Sequence, residues 1–417
     1  MAITTSPSPR PIVIAGGGCV GLFLALLLTH SPIHNPIIVL EPSAPDPTST
    51  RAMAHQPPTF PLLSRVPGLL DELIAAGSLS RGLCFRTSTA SGSRVIAGKT
   101  FGAGEKGQLL LPQGVFQEVL LKRLEGGGGR GAEVRLGWAV SGVEERGTGV
   151  EVRMQDADGK EESVLAEYLI GADGAHSTVR RLLGVGFEGE TLDAQLVATD
   201  VLFDFQAHGF YDANFIIDPV NYGLVGRINN DGLWRVSYGV PVDTSEEEIR
   251  RGVHDKLRHM MPGDGKDGFE VVRVAPYKAQ QRCVSTFWKG RVGLVGDAAH
   301  LTNPYAGLGL ASGIADASSL SQVLIHILSQ DSSDDRHSPA ADSAKLLASW
   351  SDARRQKFLN VVDKPSRMAY ARVKSKTDTE EDVQNLLARD RLVGALKKGM
   401  PMMPPSLETK GDELDGW

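Results

Sequence analysis

The chain has 417 residues, 41% hydrophobic and 23% charged, with a formal net charge of −6, which excludes disordered, collagen-like and coiled-coil readings and leaves room for two to three structural units. A mildly acidic chain without a dominant basic stripe would bind a polyphosphate backbone against its own field, so small molecules rather than nucleic acids are the expected partners. Cys19, Cys84 and Cys283 are far apart and lack C-x-x-C spacing, implying neither a disulfide framework nor a zinc site and fitting a reducing, cytoplasmic compartment.

Residues 11–15 are a short apolar, β-branched run. Gly16-Gly17-Gly18-Cys19-Val20-Gly21 follows, then a helix-like apolar stretch over 22–28, then a second strand over 37–40 ending in Glu41. The uncharged stretch 12–28 is marginal for a membrane span and is broken by four glycines, and it lacks the flanks of a signal peptide, so no membrane anchor is expected. The order strand, glycine loop, helix, strand is that of a dinucleotide-binding unit. Gly16 permits the tight turn, Gly18 lets backbone approach a pyrophosphate, and Gly21 allows close packing of helix on strand, while the helix N-terminus offers N–H groups to phosphate. Glu41 stands twenty residues after Gly21, where a carboxylate can accept both hydroxyls of an adenosine ribose.

A second G-x-G-x-x-G, from Gly126 to Gly131, follows a helical run and precedes a strand. That is the wrong order of elements, so it reads as a loop, and only one dinucleotide fold is expected. Further on, residues 150–155 alternate with period two, and 164–170 read as a returning strand that runs into Asp173-Gly174 and on to Arg180. From about 187 to 275 the pattern is β-rich, with a hairpin expected over 222–228 and 233–240 and a helix over 246–261. A strand over 292–295 leads into Gly296-Asp297-Ala298-Ala299-His300 and a helix over about 310–328. Residues 329–343 read as a surface loop, 346–374 and 380–398 as helical, and 401–417 as a loosely held tail.

Four of these blocks together resemble the class A flavoprotein monooxygenases of the para-hydroxybenzoate hydroxylase fold. They are Gly16-x-Gly18-x-x-Gly21 with Glu41; Arg51-Ala52 followed by Gln56-Pro57; Asp173-Gly174 through Arg180; and Gly296-Asp297 through His300, continuing from Asn303-Pro304-Tyr305 to Gly307-Leu308-Gly309. The implied fold is α/β. A Rossmann-like FAD-binding domain of the glutathione-reductase type would comprise 1–80, 109–186 and 283–330, and an inserted β-sheet substrate domain 81–108 and 187–282. A C-terminal helical region over 331–400 and a tail over 401–417 complete the expectation. Two positions depart from the family pattern: Gln113 stands where many members carry an FAD-contacting arginine, and Ala311 where many carry an asparagine.

The resemblance implies that Gly16, Gly18, Gly21, Glu41, Arg51, Gln113, Asp173, Asp297, Gly307, Leu308 and Gly309 hold FAD, with Arg51 at the mouth of the flavin site. It implies that NADPH or NADH docks transiently as the reductant, that O2 adds to the reduced flavin to give a C4a-hydroperoxide, and that an aromatic substrate, phenolic or polyketide-like, is hydroxylated. Donors placed ahead of the 310–328 helix would stabilise the anionic reduced flavin. A phenol reacts best as phenolate, which calls for a cation or hydrogen-bonding partner. In the expected hairpin, Tyr222, Arg227 and Tyr238 are the candidates for this catalytic role. Packing of Trp234 and Tyr238 within a sheet is the plainer reading of those aromatics. An FAD-dependent reductase or dehydrogenase on the same frame is the alternative. Tyr370-x-x-x-Lys374 fits a short-chain dehydrogenase signature but lies far from the glycine loop, in a helix expected to be peripheral, and is read as chance. No metal site is expected, since H-E-x-x-H is absent and His254 and His259 are five apart.

Overall fold

The computed structural model describes residues 8–88, 92–126, 131–330, 339–400 and 406–417. Strand Ile12–Ala15 is buried along its whole length and pairs in parallel with Ile37–Glu41 on one side and Tyr168–Gly171 on the other. Glu133–Leu136 extends this sheet beyond Ile37–Glu41, Val292–Leu294 extends it beyond Tyr168–Gly171, and the short antiparallel Trp288–Lys289 closes that edge. Uninterrupted apolar runs are what parallel strands covered on both faces require. Helices Cys19–Thr29 and Gly309–Gln330 pack into the same core and against each other.

A second, eight-stranded sheet runs in the order His300–Leu301, Glu270–Val284, Phe187–Leu202, Leu233–Pro241, Gly223–Arg227, Ala213–Ile217, Gly82–Thr87 and Val95–Thr100. All its pairings are antiparallel except that of Ala213–Ile217 with Gly82–Thr87. Helix Glu246–Arg258 starts in a Ser245–Glu248 capping box and lays Ile249, Val253 and Leu257 on one face of this sheet, against Trp234, Val236 and Tyr238. The expected α/β architecture, with a Rossmann-like unit, an added β-sheet and C-terminal helices, is therefore present.

Three local expectations need correction. Residues 164–170 do not form one strand: Glu161–Ala166 pairs antiparallel with Gly149–Asp156, and Tyr168–Gly171 belongs to the parallel sheet. The corner falls at Glu167, whose carboxylate is drawn out to Arg10 at 2.9 Å and Arg291 at 2.5 Å. The helical stretch expected over 346–374 begins earlier, as Pro339–Lys357, and is interrupted by a π-helical turn, Phe358–Asp363, before continuing as Lys364–Val373. Of the tail, 406–417 is docked rather than loose. Leu407 and Thr409 are buried, Glu408 lies 2.5 Å from Arg65, and Trp417 stacks on His326 at 4.9 Å. The glycine run 127–130 lies outside the described residues, but helix Gln113–Glu125 before it and strand Glu133–Leu136 after it have the expected order. Among the described residues, no helix is long and apolar enough to cross a membrane, and no group of His, Cys, Asp or Glu could hold a metal ion.

Candidate active site

The glycine loop departs little from what side-chain-free backbone demands. Gly16 has φ +107°, and a Cβ there would lie 2.3 Å from the Ala172 carbonyl oxygen; a Cβ at Gly21 would lie 2.0 Å from the Gly16 carbonyl oxygen. Both positions exclude side chains because strand and helix touch through bare backbone. At Gly18 a Cβ would meet nothing within 4 Å. Gly18 is also the N-cap of helix Cys19–Thr29 and provides no side-chain cap, so the first-turn N–H groups lack intrahelical acceptors and face an open position. Space beside Gly18 and unpaired donors behind it fit a pyrophosphate.

Glu41 ends its strand beside this loop, accepting from the Gly17 N–H at 2.7 Å and the Ser43 N–H at 3.1 Å. Gln117, which sequence reasoning did not single out, donates from Nε2 to the Gly17 carbonyl at 2.7 Å. Gln113 is one turn earlier. Its backbone N–H donates to the Ala52 carbonyl at 2.8 Å and its Oε1 accepts from the Ala52 N–H at 3.2 Å, so the side chain that replaces an arginine here steadies the segment carrying the exposed Arg51. Ala311 is buried in the first turns of the long helix.

Asp173 is engaged as a cap. Its Oδ1 accepts from the Ser177 hydroxyl at 2.5 Å and its Oδ2 from the Thr178 and Val179 N–H groups at 2.7 and 3.1 Å, fixing the start of helix Thr178–Leu183. Asp297 is different. It sits in the turn Gly296–Ala298, exposed at its tip, and no described residue hydrogen-bonds its carboxylate. Surrounding protein on its other sides desolvates it and raises its pKa above the usual carboxylate value. An acceptor-only group that no described residue pairs fits cofactor hydroxyls.

The four blocks meet in space. Val20 of the first helix is the atom a Cβ would strike at both Gly296 and Gly313, at 3.2 and 2.7 Å, while a Cβ at Gly307, whose φ is +64°, would strike the Gln56 amide at 2.5 Å. Gly307, buried Leu308 and Gly309 therefore lead into helix Gly309–Gln330 next to the 51–56 segment.

The hairpin pairs Gly223 with Tyr238, Val225 with Val236 and Arg227 with Trp234. Register places its candidates on two faces. Tyr238 lies on the sheet face covered by helix Glu246–Arg258, packed with Trp234 and Val236, where burial pushes its hydroxyl up to about 12. Arg227 is engaged by Asp212 through two bonds, at 2.7 and 3.1 Å, by Ser78 at 3.3 Å and by Asn230. That ion pair is buried on both sides, leaving Arg227 as a strut for the hairpin turn. Tyr222 falls on the opposite face, the one from which Arg235 reaches the Thr50 and Arg51 carbonyls at 2.5 and 3.2 Å. There it clusters with Tyr305, Leu196, Ala369 and Val373, with ring centroids 6.0 Å from both Tyr305 and Tyr370. Burial raises the pKa of Tyr222 and, far more, that of Tyr305, whose hydroxyl has no hydrogen-bond partner among the described residues.

Tyr370 and Lys374, whose spacing resembled a dehydrogenase signature, lie at the partly exposed edge of this cluster. The Tyr370 hydroxyl and the Lys374 ammonium both donate to Asp193, at 2.6 and 2.8 Å, and Tyr370 lies 3.4 Å from the Tyr222 hydroxyl. Sequence reasoning could have paired the two by their helical spacing; nothing in it indicated their meeting with Tyr222.

The comparisons with known proteins agree with this geometry. A model of the FAD binding domain family matches residues 10–350. Para-nitrophenol 4-monooxygenase of Pseudomonas sp. strain WBC-3 is 34% identical over 354 residues, covering 84% of this chain and 83% of that enzyme. The 6-hydroxy-3-succinoylpyridine 3-monooxygenase of Pseudomonas putida is 33% identical over 84% of this chain and 86% of its own length. The crystal structure of p-nitrophenol 4-monooxygenase PnpA from Pseudomonas putida DLL-E4 superposes with a TM-score of 0.82 at 32% identity, covering 94% of this chain and 96% of that one. The chain thus belongs to the FAD-binding family of class A aromatic monooxygenases. It is an FAD-dependent monooxygenase of the aromatic hydroxylase type.

Proposed function

We propose that this protein hydroxylates a small phenolic or hydroxylated heteroaromatic ring, consuming O2 and NADPH or NADH. The observation that supports this reading most is the meeting of the 296–309 segment, through Tyr305, with Tyr222 and Tyr370 on the Arg235 face of the eight-stranded sheet. In this reading Gly16, Gly18, Gly21, Glu41, Asp297, Gly307, Leu308 and Gly309 bind FAD, Arg51 stands at its mouth, and Gln113 and Asp173 fix the segments that carry the contacts. FAD, when bound, supplies two-electron transfer and oxygen activation. The chain's own part is to seat the ring, to exclude water, and to bias a phenol hydroxyl toward phenolate through Tyr222.

Division of labour follows the two sheets. Residues 1–80, 109–186 and 283–330 form the cofactor domain, 81–108 and 187–282 the substrate domain, and 331–400 the helical region that closes them. The names of the relatives, a nitrophenol and a hydroxypyridine monooxygenase, support a compact, single-ring acidic phenol over a polyketide.

The test is a panel of phenols and hydroxypyridines assayed for stimulated NAD(P)H oxidation under 18O2, with mass analysis of product. One 18O atom in the ring for each NAD(P)H consumed is expected. Substrate-dependent NAD(P)H oxidation that proceeds without O2 and leaves the product unlabelled would replace this reading with a flavin reductase.

A further inference from the structure

Behind the turn that carries Asp297 lies a wholly buried polar chain that the reading above does not use. Asp316, on the long helix, accepts at Oδ2 from the Gly296 N–H at 2.9 Å and from His300 Nε2 at 2.7 Å, and at Oδ1 from Arg354 Nε at 2.8 Å. Arg354, in helix Pro339–Lys357, continues outward to the Leu407 carbonyl at 2.7 Å and the Thr409 hydroxyl at 2.9 Å. Asp316 and Arg354 are fully buried, and His300, Leu407 and Thr409 very nearly so. The His300 ring is stacked 4.4 Å from Phe358, the first residue of the π-helical turn, so the break in that helix delivers the ring contact.

Burial alone would raise the Asp316 carboxyl, but Arg354 and then His300 outweigh it and hold it below the usual carboxylate range. A single ionised carboxylate therefore ties both ends of the 296–300 turn, with Asp297 between them. The same C-terminal helices grip the following residues. Asp363 accepts from Gln281 Nε2 at 2.8 Å, and Gln281 Oε1 accepts from the Thr302 hydroxyl and both the backbone and side-chain N–H groups of Asn303.

We infer that Asp316, neutralised by Arg354, is a positioning residue for FAD: it sets the direction of the Asp297 carboxylate from behind, and the docked 406–417 segment is the outer end of that support. Asp316 touches no open surface, so its effect on the cofactor runs through Gly296 and His300. The step resembles outer partners that orient a ligand whose own atoms make the contact.

The test uses Asp316→Asn, which keeps shape and removes charge, with Thr409→Val as a mild change at the far end. FAD dissociation constants by fluorescence quenching, the reduction potential of the bound flavin, and the melting temperature of the apoprotein are measured for each. Asp316→Asn is expected to weaken FAD about tenfold or more, the size of one hydrogen bond to a charged group, and to shift the potential. Thr409→Val is expected to weaken FAD in the same direction by a few-fold, with an apoprotein melting temperature within a few degrees of parent. If Asp316→Asn does not fold, Thr409→Val with Arg354→Lys decides the matter by the same two flavin readouts. Parent-like affinity and potential in the folded variants, with only melting temperature lowered, would overturn the inference, and would leave the direct contact at Asp297 intact, since Asp297→Ala tests that separately.

Discussion

Arg235 and Asp200 form a buried ion pair, 2.7 Å apart on neighbouring strands of the eight-stranded sheet, that holds the 50–51 segment: Asp200 also accepts from the Thr50 hydroxyl at 2.6 Å while Arg235 donates to the Thr50 carbonyl at 2.5 Å. Arg273 stands 3.7 Å away as a second, half-exposed cation. Removing the guanidinium would leave a buried carboxylate short of its main partner, which is far more costly than the pair is stabilising. Arg235→Leu is expected to lower unfolding free energy by about 3–5 kcal/mol, measured by urea denaturation of the holoprotein. Replacing both, Arg235→Leu with Asp200→Leu, should recover much of that loss; no recovery would mean that the carboxylate is not the source of the cost.

The glycine loop separates a folding role from a binding role. Gly21→Ala would drive a methyl to 2.0 Å from a backbone oxygen, whereas Gly18→Ala would place one in open space. Gly21→Ala is therefore expected to lose both thermal stability and flavin. Gly18→Ala should keep the apoprotein melting temperature near that of the parent and lose flavin content, because its methyl would stand where pyrophosphate approaches. Flavin absorbance per chain and apoprotein melting curves check both.

His55 gives a pH dependence with a fixed sign. Burial lowers its pKa to about 4, partly offset by its bond from Nε2 to the Leu111 carbonyl, and its ring packs edge-on to Phe116 at 4.8 Å. The unfolded chain takes up this proton near pH 6.5 and the folded chain only near pH 4, so the unfolded state binds more protons between those values and stability falls as pH drops through that window. The loss attributable to His55 is about 3 kcal/mol. His55→Gln, which can keep the donor to Leu111, should flatten the slope of unfolding free energy between pH 6.5 and 4; an unchanged slope would assign it to other groups.

Tyr222 and Tyr238 are two residues of one hairpin on opposite faces. Tyr222→Phe is expected to leave FAD binding intact and to lower the ratio of hydroxylated product to NAD(P)H consumed, with hydrogen peroxide making up the difference, because a ring misplaced by about 1 Å can react on the order of a hundredfold more slowly. Tyr238→Phe should leave that ratio unchanged. Equal coupling in both variants would remove Tyr222 from the substrate site.

The features that could be read in advance are those fixed by local backbone constraints. Gly16, Gly18 and Gly21 announce themselves because so few residues tolerate their positions, and the strand, helix and Glu41 around them follow in short order. The face of the hairpin was not readable: period two groups Trp234, Val236 and Tyr238 together but does not say whether helix Glu246–Arg258 or the 50–53 segment covers them. Arg227 was singled out and Arg235 was not, although the two differ only in which distant aspartate meets them, Asp212 or Asp200. The meeting of Tyr370 with Tyr222 and the role of Asp316 are not legible for the same reason, since their partners come from remote parts of the chain. Asp173 and Asp297 look alike in sequence, each following a strand beside a glycine; only the N–H groups of the next helix tell the cap from the unpaired carboxylate.

The parallel sheet that carries the glycine loop takes its strands from residues near 12, 37, 133, 168 and finally 292, and five of the eight strands of the second sheet are encoded between the last two. During synthesis the first domain therefore waits with an open edge beside Tyr168–Gly171 while most of the second is made. Pairings of such long sequence separation form slowly and expose unpaired strand edges in the meantime. The bulk of the eight-stranded sheet can be in place before the parallel sheet is extended by Val292–Leu294. That strand then leads directly into the 296–300 turn, so the turn that carries Asp297 can be completed only after Val292–Leu294 has been made.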